Sequence, residues 1–280
     1  MRLLAVIPAR LGATRLPRKP LRLLGGQPLV VRVWERIATL GVAERCVVAT
    51  DDEQVAAVVR AAGGEAVLTR SDHPSGTDRV AEVAMRDEFA GYDAVVNIQG
   101  DEPFASAGVV HAASSLVTQH GFALGTVACP AGPDVLARPD VVKVVATDQG
   151  RALYFSRAPV PFLREPDDPA DRARRDALVH RHVGIYAYTR EALARWVALP
   201  PHPLEQIERL EQLRPLADGM AMGVAIVHEA PPPGIDTEDD LAEANARWPA
   251  WAAHAARSTS SSLPPSAPEA RSGAPLTLPA

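Results

Sequence analysis

Four short apolar runs, alternating with stretches of helical spacing, fill the first hundred residues and leave few folds open. Leu3 to Ile7, Arg45 to Thr50, Ala66 to Leu68 and Ala94 to Ile98 are short and apolar, so each reads as a strand. Between them, Leu29, Val33, Ile37 and Leu40 give helical spacing across Pro28 to Leu40. A second helix spans Glu53 to Ala62, with Thr50-Asp51-Asp52 able to cap it. A third runs from about Thr77 to Phe89, where Ser75 or Thr77 can cap. Strands and helices alternating at this pace imply right-handed βαβ units, and so an α/β fold with an open, mostly parallel sheet.

The second half is less regular. A helix begins near Ala107, and Phe122 to Ala128, Val141 to Ala146, Arg151 to Phe155 and Val183 to Tyr188 read as strands. Leu163 to Arg181 is dense in charge and proline and reads as a surface excursion. Helices follow at Arg190 to Ala198 and Leu204 to Leu216, then a late strand at Val224 to Val227. A final helix runs from Thr237 to about Ala256. From Ser258 the chain is serine, proline and alanine without periodicity, so the expected organisation is one folded domain over 1–257 and a disordered tail over 258–280. A domain built from 280 residues needs no disulfide or metal staple. Cys46 and Cys129 lie inside apolar runs and read as core thiols.

A net charge of -5 argues against a general nucleic-acid binder. No secretory signal opens the chain and no run approaches the roughly 18 apolar residues of a membrane span, so a cytoplasmic protein without membrane partner is expected. Against that acidic background, the loop after the first strand concentrates Arg10, Arg15, Arg18 and Lys19, with Gly12 for freedom and Pro17 and Pro20 for stiffness. Open α/β sheets bind ligands at the carboxyl ends of their strands, so this loop suggests a triphosphate site. It is neither a P-loop nor a dinucleotide fingerprint, which disfavours a nicotinamide-dependent oxidoreductase.

Two aspartates have the right surroundings for a metal. Asp101, in Gln99-Gly100-Asp101-Glu102-Pro103, follows an apolar strand and reads either as a Mg²⁺ carboxylate or as a turn residue. Asp236, between a glycine-bearing turn and a helix start, is a second carboxylate or an ordinary cap, since Thr237 to Asp240 has capping-box spacing. In the Leu204 to Leu216 segment, Glu211 and Arg214 intrude at the edge of the apolar stripe. Either they pair with each other at i,i+3 or that edge looks into a polar pocket. His182, a lone histidine, reads as structural more readily than catalytic, and Arg157 reads as a plain surface arginine.

Six segments in this order resemble the 3-deoxy-manno-octulosonate cytidylyltransferases, or CMP-Kdo synthetases. They are Pro8-Ala-Arg with Thr14 to Leu21, Asp72 to Arg79, Asn97 to Pro103, His182 to Tyr186, Leu204 to Arg214 and Gly234 to Leu241. The resemblance covers about Leu3 to Arg247. It departs at Ala13, where the family has serine, at Arg18 for glycine, Pro74 for glutamine and Asp78 for glutamate. It implies a sheet of the nucleotide-diphospho-sugar transferase type with a small β dimerisation element, and hence a homodimer. It also implies CMP transfer from CTP to the acidic sugar Kdo, releasing pyrophosphate, for lipopolysaccharide synthesis. Arg10, Arg15 and Lys19 would hold the CTP phosphates, with Ser75, Gly76 and Arg79 near the nucleotide. Gln99, Arg157, His182, Tyr186, Glu211 and Gln212 would surround Kdo. Asp101 and Asp236 would bind Mg²⁺ and, with Lys19, form the catalytic group. A cytidylyltransferase for another acidic sugar, such as sialic acid, and a non-catalytic nucleotide sensor are the competing readings.

Overall fold

The computed structural model describes residues 1–12, 15–228 and 232–260. The strands are β1 (Leu3–Ala9), β2 (Leu23–Leu24), β3 (Gln27–Pro28), β4 (Arg45–Thr50), β5 (Glu65–Leu68), β6 (Ala94–Asn97), β7 (Leu124–Pro130), β8 (Lys143–Ala146), β9 (Ala152–Ser156), β10 (His180–Thr189) and β11 (Met222–Ile226). The helices are α1 (Leu29–Leu40), α2 (Glu53–Ala61), α3 (Gly76–Ala84), α4 (Ala107–Thr118), α5 (Pro169–Ala177), α6 (Arg190–Ala198), α7 (Pro203–Glu208), α8 (Leu213–Ala217) and α9 (Glu238–Ser260).

The main sheet runs β11-β7-β10-β6-β1-β4-β5. β1 lies parallel to β4 and β6, β4 to β5, and β7 to β11. β10 alone is reversed on this path, antiparallel to both β6 and β7. β8 and β9 extend from β10 as an antiparallel arm. All seven residues of β1 are buried, as a central parallel strand requires, and they alternate between two cores. Leu3, Ala5 and Ile7 face a layer with Val33 and Ile37 of α1, Val110 of α4 and Leu241 of α9. Leu4 and Val6 face Val80 and Val83 of α3 and Trp196 of α6.

Asp52 caps α2, Ser75 caps α3 and Ser106 caps α4. α3 ends at Ala84, earlier than its periodicity suggests, and a short 3-10 turn at Asp87–Phe89 completes the connection. Within the excursion after Leu163, α5 forms without burying a residue; Asp168 caps it and Pro169 starts it.

The expected single helix from Leu204 to Leu216 is two. α7 stops at Glu208, Arg209 takes a left-handed φ of 53°, and α8 begins at Leu213. The apolar stripe therefore splits. Ile207 is exposed, whereas Leu210 and Leu213 enter the core. α9 continues to Ser260. The remainder of the serine, proline and alanine tail, 261–280, lies outside the described residues. Both thiols are free; Cys129 is buried and burial pushes Cys46 up to about 12. Among the described residues, no helix is long and apolar enough to cross a membrane.

Candidate active site

At the carboxyl ends of β1 and β6 lies a cleft of about 370 Å³, floored by Pro8, Ala9 and Gln99. Gly100 makes the floor possible. A Cβ there would lie 2.8 Å from the Pro8 carbonyl oxygen, a contact the backbone cannot relieve cheaply. Arg10, Gly12, Arg15 and Lys19 form the cationic side, as the β1 loop implies. Ala13 and Thr14, and with them the expected loss of the serine hydroxyl, lie outside the described residues.

The two aspartates meet across this cleft. Lys19 Nζ donates to Asp101 Oδ2 at 2.5 Å and to Asp236 Oδ1 at 3.0 Å. Arg15 Nη2 donates to the other Asp236 oxygen at 2.9 Å. Burial of Lys19 works against its charge, yet the Asp101 and Asp236 carboxylates outweigh it and hold the ammonium above its ordinary pKa.

Asp236 reaches this position because other groups take the capping role. Thr237 Oγ1 accepts from the Asp240 N–H at 3.1 Å, and Asp240 Oδ2 accepts from the N–H groups of Thr237 and Asp236 at 2.8 and 3.0 Å. The Asp236 carboxylate is thereby left to face the cations. The Ile235 N–H donates to the Asp101 carbonyl at 3.0 Å, locking the two aspartate segments together. Gly234 permits that approach, since a Cβ there would lie 3.3 Å from Glu102 Oε1 and 3.4 Å from the Asp101 carbonyl oxygen.

One ammonium touching both carboxylates shows that a single cation can reach the pair. Among the described residues no third His, Cys, Asp or Glu joins them as a metal cluster. That donor set suits Mg²⁺, which takes one or two carboxylates and completes its shell with phosphate oxygens and water.

Ser75, Gly76, Arg79 and Glu211 close the opposite side of the cleft. Ser75 Oγ donates to Asp78 Oδ2 and accepts from the Asp78 N–H, so residue 78 completes the cap of α3. Arg79 is buried, and its guanidinium binds Asp51 at 3.2 Å, the Thr69 hydroxyl and the Arg70 carbonyl. It thus ties the end of β4 to α3 at the edge of the cleft.

Glu211 does not pair with Arg214. It accepts from Thr77 Oγ1 at 2.9 Å, and burial raises its pKa against the help of Thr77 and Ser75. Arg214 instead pairs with Glu205 at 2.5 Å. The break at Arg209 turns Glu211 to line the cleft, whereas Arg214 is not part of that lining, so the expected edge is divided between the two.

The remaining expected sugar-binding residues stand outside the lining of this cleft. His182 Nε2 meets Thr126 Oγ1 at 2.9 Å, and its ring packs against Phe155 and Tyr186. Gly184, between His182 and Tyr186 in β10, borders Gln99: a Cβ there would lie 3.9 Å from Gln99 Cγ. Gln212 is buried at the start of α8. Arg157 donates to the carbonyls of Glu208, Pro139 and Arg209.

Burial, with Arg181 adding to it, lowers His182 to about 3. The unfolded state takes up this proton below about 6.5 and the native state only near 3, so stability falls as pH drops through that window. Thermal melts of wild type and His182→Gln from pH 7 to 4 should show the wild type losing more, by a few degrees. Parallel curves would remove His182 as the source.

Sequence reading overlooked Glu102. Burial, reinforced by the neighbouring Asp101 charge, raises it to about 8. Its adjacency to Asp101 was the available signal. Thr77, the partner of Glu211, carried none beyond its capping position.

The chain as a whole is similar to known proteins. The model of the cytidylyltransferase family matches residues 4–222. A 3-deoxy-manno-octulosonate cytidylyltransferase from Gemmatimonas aurantiaca is 59% identical over 259 residues, covering 92% of this chain and 98% of that protein. One from Methylococcus capsulatus is 48% identical, covering 85% and 94%. A solved CMP:2-keto-3-deoxy-manno-octonic acid synthetase complexed with CTP is similar in fold, with TM-score 0.81 and 37% identity, covering 89% of this chain and 99% of that one. The chain belongs to the cytidylyltransferase family, among the 3-deoxy-manno-octulosonate cytidylyltransferases.

Proposed function

We propose that the chain transfers CMP from CTP to the anomeric hydroxyl of Kdo, giving CMP-Kdo and pyrophosphate for lipopolysaccharide synthesis. The observation that carries this reading is the pair of aspartates sharing one cation opposite a cationic loop, at the strand ends of the sheet. In-line attack of a hydroxyl on the α-phosphorus asks the protein for alignment and charge neutralisation rather than covalent chemistry. Arg10, Arg15 and Lys19 hold the β- and γ-phosphates and stabilise the departing pyrophosphate. The N-terminal turn of α3, at Ser75 and Gly76, borders the nucleotide, and Arg79 stiffens it. Asp101 and Asp236 are the residues that would hold magnesium, which when bound would supply positive charge near the reacting phosphate and lower the pKa of the sugar hydroxyl.

Gln99 and Glu211 offer hydrogen bonds to sugar hydroxyls, with Gln212, His182 and Tyr186 as the supporting wall. Arg157 is the cation for the sugar carboxylate. Three carbonyls of described residues engage its guanidinium, which carries five donors. A homodimer and a cytoplasmic location belong to the same reading. The β8–β9 arm stands off the main sheet path, and Leu153 and Phe162 are exposed around it.

Pyrophosphate release tests the reading directly. CTP with Kdo and Mg²⁺ should turn over, whereas other nucleoside triphosphates, sialic acid, or omission of Kdo should give background. Turnover with sialic acid but not Kdo, or CTP binding without release under any condition, would overturn it.

A further inference from the structure

The break between α7 and α8 carries no glycine or proline, yet it is where the chain turns Glu211 into the cleft. A non-glycine residue with φ of 53° is held there by its surroundings rather than by its own preference. The surroundings are specific. Glu208, the last residue of α7, accepts from Ser156 Oγ through Oε1 at 2.7 Å and from the Arg157 N–H through Oε2 at 2.9 Å. In return, Arg157 Nε donates to the Glu208 carbonyl at 2.7 Å and Nη2 to the Arg209 carbonyl at 3.4 Å. Two carbonyls at the helix break, which have no continuing helix to bond them, are thus satisfied by one guanidinium.

The Arg157 segment is itself pinned. Lys143 is fully buried, and its ammonium donates to the carbonyls of Arg157, Arg138 and Val141 at 2.5, 2.9 and 2.8 Å. The end of β9 is therefore a fixed anchor, and Glu208 is the only carboxylate among the described residues that the Ser156 and Arg157 donors engage.

Resting on the function proposed above, we infer that Glu208 is a positioning residue for the acidic sugar. Its carboxylate ties the α7–α8 break to the Ser156-Arg157 anchor, and so fixes the segment that carries Glu211 into the cleft and orients the Arg157 guanidinium on the carbonyls of that break. Glu208 acts through these neighbours and touches no reacting atom. Among the described residues, no hydrogen bond or ion pair joins the phosphate side of the cleft, built from the β1 loop and the two aspartates, to this staple. Losing Glu208 therefore affects the sugar and spares the nucleotide.

Steady-state kinetics on the full chain separate the two. Glu208→Ala should raise KM for Kdo about 10–30-fold, with KM for CTP within about twofold and kcat lowered less than about fivefold. Glu208→Gln keeps an accepting oxygen and should fall between wild type and Glu208→Ala. Ser156→Ala, which removes one of the two bonds to the Glu208 carboxylate along with the bond from the Ala158 N–H, should raise KM for Kdo only about threefold. Unchanged KM for Kdo in Glu208→Ala, or equal increases for both substrates, would overturn the assignment. If Glu208→Ala does not fold, the Glu208→Gln and Ser156→Ala pair decides by the same criterion.

Amide hydrogen exchange provides a readout that needs no substrate. Glu208→Gln should speed exchange at Leu210, Leu213 and Arg214 while leaving β1 and β6 protected. Faster exchange there in Glu208→Gln, together with a wild type inert toward Kdo, would keep the staple and refute the sugar. Unchanged exchange would refute the staple itself.

Discussion

Asp101→Asn should lower the rate of pyrophosphate release by about 10³-fold or more while changing the affinity for CTP by less than about tenfold. The substitution is nearly isosteric and leaves an oxygen for the Lys19 ammonium, which sits 2.5 Å from the native carboxylate. What it removes is one of the two negative charges able to hold a divalent ion. The phosphate grip survives, because Arg10, Arg15 and Lys19 are untouched and Lys19 is released from one competing anion. A loss of that size in rate alone corresponds to about 4 kcal/mol confined to the transition state. Isothermal titration with CTP beside single-turnover kinetics measures both quantities on one preparation. Near-normal turnover would remove Asp101 from the chemistry, and CTP affinity falling in step with rate would make it a binding residue.

Lys19→Met should reduce kcat/KM for CTP by about 10²–10³-fold, the effect of deleting one preorganised donor at a charged leaving group. Its second consequence is a matter of stability. The Lys19 side chain is 18% exposed and bridges carboxylates that are 21% and 43% exposed. Removing the ammonium leaves two like charges facing each other, for a loss of about 1–3 kcal/mol in the free protein. A divalent ion then replaces a missing charge instead of displacing one already present. Millimolar Mg²⁺ should therefore raise the melting temperature of Lys19→Met by more than that of wild type. Equal responses would mean that the ammonium and the ion do not compete for the same oxygens.

Much of this site was legible because parallel sheets gather their loops at one end. Leu3 to Ile7 and Ala94 to Ile98 read as strands of one mostly parallel sheet, which puts the cations after the first and Asp101 after the second at the same end; that the two strands are neighbours is seen only in the structure. Asp236 was ambiguous for a local reason, since a carboxylate ahead of a helix has a ready role as cap. Only the contacts show that Thr237 and Asp240 cap each other and leave it unspent. The α7–α8 break was illegible in pattern. Leu204, Ile207, Leu210 and Leu213 fit one helical stripe, and nothing at Arg209 announces a turn. Tertiary bonds from Arg157 and the Glu205–Arg214 pair override that periodicity. α5 was missed for the opposite reason. It buries nothing and so shows no apolar spacing, though Asp168-Pro169 is a start signal in its own right.

The backbone bond from Ile235 to Asp101 also sets an order of events during synthesis. A nascent chain that has emerged as far as residue 220 already owns the cationic β1 loop, Asp101 and the whole of β10. It lacks the second carboxylate, which arrives last and only with the helix behind it. The two-carboxylate geometry of the cleft is therefore complete only once the final helix seats.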